Sequence, residues 1–103
     1  MDNWSAIAQT ELASIGAVLS ASANEEKIGE GLIELRLSVR GKEAFMFTLT
    51  WSAYSGGVDR DEGVGTSNVG LMNIPMYYSV MMQLAEPLLQ WLEEDIARRV
   101  QCN

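Results

Sequence analysis

Acid–base and metal chemistry in proteins leans on histidine, and this chain has none. That removes the commonest general base, the Ser-His and Cys-His nucleophile pairs and the usual zinc and iron sites. The single cysteine, Cys102, stands second from last, with only Arg98 and Arg99 near it to lower its pKa. One thiol builds neither a thiolate metal site nor an intrachain disulfide, so the fold does not depend on an oxidising compartment.

Carboxylates remain. Asp59, Asp61 and Glu62 cluster in a glycine-rich stretch, and Asp59 and Asp61 have the spacing of the first acids of a calcium loop. The third oxygen ligand is missing, because Gly63 stands there, and Val64 takes the place of the glycine that should follow. Gly63, Gly65 and Gly70 suggest a phosphate loop, but Asn68 occupies the third small position of the dinucleotide pattern. The Gly-Lys-Ser/Thr ending of the other phosphate loop is also absent. Glu25-Glu26 and Glu93-Glu94-Asp95 are paired acids of the kind that hydrolyse glycosides, yet they read as solvated faces without a cleft that would raise one pKa. No catalytic residue, cofactor or metal is expected, and an enzyme is the weakest of three function classes.

The elements that must position these residues follow from periodicity. Residues 4–20 read as an amphipathic helix. Trp4, Ala8, Leu12, Ile15 and Leu19 recur at spacings of three and four, with Asn3 as N-cap, although Gly16 weakens the pattern. Residues 21–30 read as a connection. Ile33, Leu35, Leu37 and Val39 then alternate with polar residues, as do Phe45, Phe47, Leu49 and Trp51, and Arg40-Gly41-Lys42 joins the two strands. A two-residue turn at Gly41-Lys42 would set Arg36 opposite Phe47. An odd-length turn sets Leu37 opposite Phe45 and Leu35 opposite Phe47, which gathers the large apolar side chains on one face. The odd register is expected, with a bulge at Gly41.

Residues 55–70 read as a long glycine-rich loop, and 76–100 as helix, with Asn73 as cap and Pro75 in the first turn. Pro87 interrupts that helix. The expected fold is α+β in a single domain, 1–103. It has an N-terminal helix, an antiparallel β-hairpin, a long Gly-rich loop and a C-terminal helix kinked or broken at Pro87.

Fourteen acids against seven bases give a net charge of −7. Such a chain is repelled by phosphate backbones and anionic membranes, which leaves a protein with a basic surface as the favoured partner. No apolar run reaches spanning length and no secretory signal opens the sequence, so a cytoplasmic location is expected. Two contact surfaces stand out. Asp59, Asp61 and Glu62 would meet arginines and lysines on a partner. Met76, Tyr77, Tyr78, Met81 and Met82 lie in a segment apolar on every side, as an interface helix would be, which also points to a homodimer.

The leading reading is a small acidic protein-binding module, an inhibitor or adaptor that occupies a basic site on a larger protein. The alternative is a homodimeric secretion or assembly chaperone. Phage-encoded anti-defence proteins, immunity proteins and secretion chaperones include chains similar in size and charge, an analogy that names no residue.

Overall fold

The computed structural model describes residues 5–54, 57–67 and 74–101, with side chains described throughout except at 61–63, 66, 67, 74–77 and 99–101. Five strands form one antiparallel meander in the order β1-β2-β3-β4-β5. They are β1 (Ser5–Leu12), β2 (Ala17–Lys27), β3 (Glu30–Val39), β4 (Lys42–Ser52) and β5 (Gly57–Ser67). A single turn of 3-10 helix (Ala13–Ile15) links β1 to β2, and one helix, α1 (Ile74–Gln101), follows the sheet.

The predicted N-terminal helix is absent, and β1 and β2 take its place. The reason lies in the spacing. Residues four apart share a helix face, but they also share a strand face, because four is a multiple of two. Ala8 and Leu12 are therefore equally placed in either element, whereas Ile15 falls in the 3-10 turn, exposed, and Leu19 in β2, buried. Gly16 decides between the two elements: it adopts φ +64° and turns the chain, and Arg40 N–H donates to its carbonyl at 2.8 Å. Residues 21–27, expected as a connection, extend β2, where Ala17, Leu19, Ala21 and Ala23 alternate inward. Trp4 and the Asn3 cap lie outside the described residues, as does the Asn73 cap.

The β3–β4 register pairs Leu35 with Phe47 and Leu37 with Phe45, as the apolar pattern requires. The device differs from the expected odd turn. Arg40 (φ +52°) and Gly41 (φ +80°) make a two-residue turn between Val39 and Lys42, and a bulge shifts the register between Leu37 and Ser38. The predicted long loop is corrected to strand, since 57–67 pairs with β4 from Phe45↔Ser67 to Ser52↔Gly57, with a register shift between Thr48 and Thr50. Glycines that read as loop signals here relieve close approach. The Phe47 ring occupies the place a Cβ on Gly65 would need.

The C-terminal helix is not broken: it runs continuously through Pro87. Proline deprives the carbonyl four residues back of its donor, and Gln83 is exposed, so water can satisfy that group.

The core lies between one face of the sheet and α1. Met81, Ala85, Leu88, Leu89, Leu92 and Ile96 pack on Leu19, Ile33, Leu35, Phe47, Leu49 and Trp51. Inward side chains are large on β3 and β4 but small on the flanks, with Ala6, Ala8, Ala21 and Ala23 on one side and Gly65 on the other. The helix backbone accordingly comes closest to β5, β2 and β1, and the sheet curls around it.

Candidate functional site

The face of the sheet turned away from α1 ends in a cleft of about 390 Å³. Registered pairing builds it. Glu30 lies opposite Ser52, which lies opposite Gly57, and Leu32 lies opposite Thr50, which lies opposite Asp59. Opposed residues of an antiparallel sheet share a face, so Glu30, Ser52, Leu32, Thr50 and Asp59 line one surface, while Gly57 at the end of β5 closes it and abuts the Glu93 side chain of α1. Glu26 and Lys27 complete it, delivered by the register shift between Glu25 and Lys27.

The end of the sheet beneath the cleft is tied down. Trp51 donates its indole N–H to the Asn24 carbonyl at 3.1 Å. A Cβ at Gly31 would meet that carbonyl and come within 2.7 Å of the indole nitrogen, so glycine is required there. The turn at the rim is fixed from both sides. Gly29 N–H donates to the Glu25 carboxylate at 3.1 Å, and Ala53 N–H donates to the Gly29 carbonyl at 2.8 Å. Gly29 adopts φ +78°, with the Tyr54 ring where a side chain would stand.

Among the described residues, three carboxylates, Glu26, Glu30 and Asp59, thus line one cleft with one cation, Lys27. The neighbouring Arg60 does not neutralise them. Strand alternation turns it to the other face, where it pairs with Glu86 at 3.2 Å and Glu93 at 2.5 Å. Burial pulls the Arg60 pKa down, but the hydrogen bond and charge of Glu93, with the charge of Glu86, outweigh that and hold it above its ordinary value. Tyr78 donates its hydroxyl to the Arg60 carbonyl at 2.6 Å and stacks edge-on to Phe47. Chemically, the cleft offers acceptors and negative charge to a guanidinium or ammonium group.

The predicted contact residues separate. Asp59 is exposed and lines the cleft, whereas the side chains of Asp61 and Glu62, on the same strand, lie outside the described residues. Met81 is buried in the core, and Tyr78 and Met82 are half-buried against it. The last two also line a shallow groove of about 550 Å³ with Arg60, Ser79, Gln83 and Glu86. The side chains of Met76 and Tyr77 lie outside the described residues, as does Cys102. The sequence singles out Glu26 only as a solvated paired acid and does not point to Glu30, because 21–30 reads as a connection. The available signal was the alternation of small residues from Ala17 to Ala23, followed by Ile28-Gly29 as a tight turn.

Among the described residues no group of three or more acids or thiols is arranged to hold a metal ion, and no polar or charged residue is fully buried. No described helix is long and apolar enough to cross a membrane. Comparison with known proteins gives no match to a family model, to a curated protein or to a solved structure.

Proposed function

We propose that the protein is an acidic protein-binding module that engages a basic segment of a larger protein through the cleft at the end of its helix-free sheet face. The observation that carries this reading is the convergence of Glu26, Glu30 and Asp59 around one cleft whose rim is fixed by backbone hydrogen bonds. A fixed rim means that little order has to be gained on binding, which favours affinity. The charge of the whole chain, −7, adds attraction at longer range and speeds encounter with a basic surface. In this reading the module inhibits or adapts its partner by occupying the basic site.

The test is a titration of the isotope-labelled protein with a short Arg/Lys-rich peptide, followed by amide chemical shifts. Shift changes should centre on residues 26–32, 50–52 and 57–59. They should fade as salt rises to several hundred millimolar, where the screening length falls below about 5 Å. The triple variant Glu26→Gln, Glu30→Gln, Asp59→Asn should lose the response. Changes spread evenly over every acidic surface, or a response that survives the triple variant, would defeat the proposal.

A further inference from the structure

The two edges of the sheet are built differently. β5 carries Asp59, Arg60, Asp61 and Glu62 in succession and has a register shift opposite Thr48 to Thr50, both of which discourage another strand from adding to it. β1, Ser-Ala-Ile-Ala-Gln-Thr-Glu-Leu, has neither proline nor lysine and carries one charge, Glu11. Among the described residues no strand pairs with its outer edge.

The helix beside that edge is also uncovered. Arg60 to Glu86 and Glu93, and Tyr78 to Phe47, fix one flank of α1 over β4 and β5. At 3.6 residues per turn, Leu84 and Trp91 stand about 200° from Glu86 and Glu93 by way of the sheet-facing side of the helix. The arc between them holds Ala85, Leu89, Leu92 and Ile96, which face the sheet. Leu84 and Trp91 therefore lie on the β1 side, with Val80 beside them, and these three side chains are 40%, 45% and 48% exposed respectively. An open strand edge and an apolar helix flank form one continuous surface.

We propose that this surface binds a second copy of the chain, with β1 pairing antiparallel to the partner's β1 about a two-fold axis. Such an axis, normal to the sheet, leaves both helices on the same face of a continuous sheet. It sets Glu11 against Ser5 or Ile7 of the other copy, so the one charge of the strand never meets its equivalent. The inward residues Ala6, Ala8 and Thr10 are small, which gives the opposing Leu84 and Trp91 room to overlie them. Charge fits a second copy better than a basic partner here. The chain as a whole carries −7, but this flank is nearly neutral, because Arg98 pairs with Asp95 at 2.9 Å. The cleft acids Glu26, Glu30 and Asp59 lie elsewhere, and both clefts stay open in the dimer. The proposal is independent of the cleft's function.

Light scattering coupled to size exclusion tests it at about 100 µM, where a dimer with a micromolar Kd is populated. The wild-type mass should be twice 11.3 kDa and insensitive to salt. The double variants Ile7→Lys, Gln9→Lys and Leu84→Lys, Trp91→Lys alter exposed positions. Each should run at 11.3 kDa with an unchanged far-UV spectrum. Gln9→Cys in a Cys102→Ser background should form a disulfide-linked dimer on oxidation. A wild-type mass of 11.3 kDa, as when the edge serves a foreign strand, overturns the proposal. So does a dimer that persists in both double variants. The triple cleft variant should stay dimeric, which separates failure here from failure of the cleft.

Discussion

Two adjacent residues of β2 separate the sheet architecture from the helical reading of the same segment. Ala21 is fully buried beneath α1, opposite Ala8 of β1 and Leu35 of β3. Ser22 points to the other face, opposite Ile7 and Glu34. Ala21→Leu inserts three carbons where the helix packs closely on the small-residue flank, at a cost of about 1–3 kcal/mol. Ser22→Leu adds similar volume on the helix-free face and should change stability by no more than about 0.5 kcal/mol. A domain of this size has about 5–15 kcal/mol in hand, so both variants should still fold. Urea unfolding followed by the fluorescence of the buried Trp51 reads the difference. With a slope of about 2 kcal/mol per molar urea, the Ala21→Leu midpoint should fall by about 0.5–1.5 M and that of Ser22→Leu should hardly move. Equal shifts, or a larger one for Ser22→Leu, would refute the inward assignment of Ala21 and with it the packing of α1 on β2.

Other substitutions probe the remaining contacts by the same assay. Phe47→Ala removes a buried ring that lies over Gly65 and against Tyr78, and should cost about 3–5 kcal/mol, while Thr48→Ala on the opposite face should cost less than about 1 kcal/mol. Gly31→Ala should displace Trp51 from the Asn24 carbonyl. Overpacking plus the lost hydrogen bond then come to about 2–4 kcal/mol, against about 1–2 kcal/mol for Gly41→Ala, which meets open space and only backbone strain. Arg60→Met frees Glu86 and Glu93, and because the guanidinium is partly exposed the loss should stay near about 1 kcal/mol and shrink as salt rises.

The hairpin was legible because alternation over β3 and β4 leaves one register that buries Leu35, Leu37, Phe45 and Phe47 together, and the backbone adopts it through a bulge. The first two strands were not legible, since Ala8 and Leu12 stand four apart, which fits both periods, and alanine carries little signal of either. What selects strand is tertiary: small residues on β1 and β2 let the helix approach. β5 was hidden by its glycines, which mark turns in isolation. Gly65 instead makes room for the Phe47 ring, a contact 18 residues away in sequence that no local window includes.

The acids show the same dependence on distance. Asp59 was legible as an exposed carboxylate, because a charged residue among glycines has nowhere else to go. Its association with Glu26 and Glu30 follows only from pairings across four strands, Lys27↔Glu30, Glu30↔Ser52 and Ser52↔Gly57. Arg60 carries the argument one step further. In sequence it stands between Asp59 and Asp61, where its charge would offset theirs. Strand alternation sends its side chain to the opposite face, where Glu86 and Glu93 hold it, so the same cation that fastens α1 to the sheet leaves the cleft negative. If Arg60 is replaced, the helix loses an anchor and two more carboxylates lose their partner, but the field in the cleft should change little. Peptide binding at the cleft and the unfolding midpoint should therefore respond independently to Arg60→Met, with the midpoint falling and the affinity held within about twofold, a difference of about 0.4 kcal/mol.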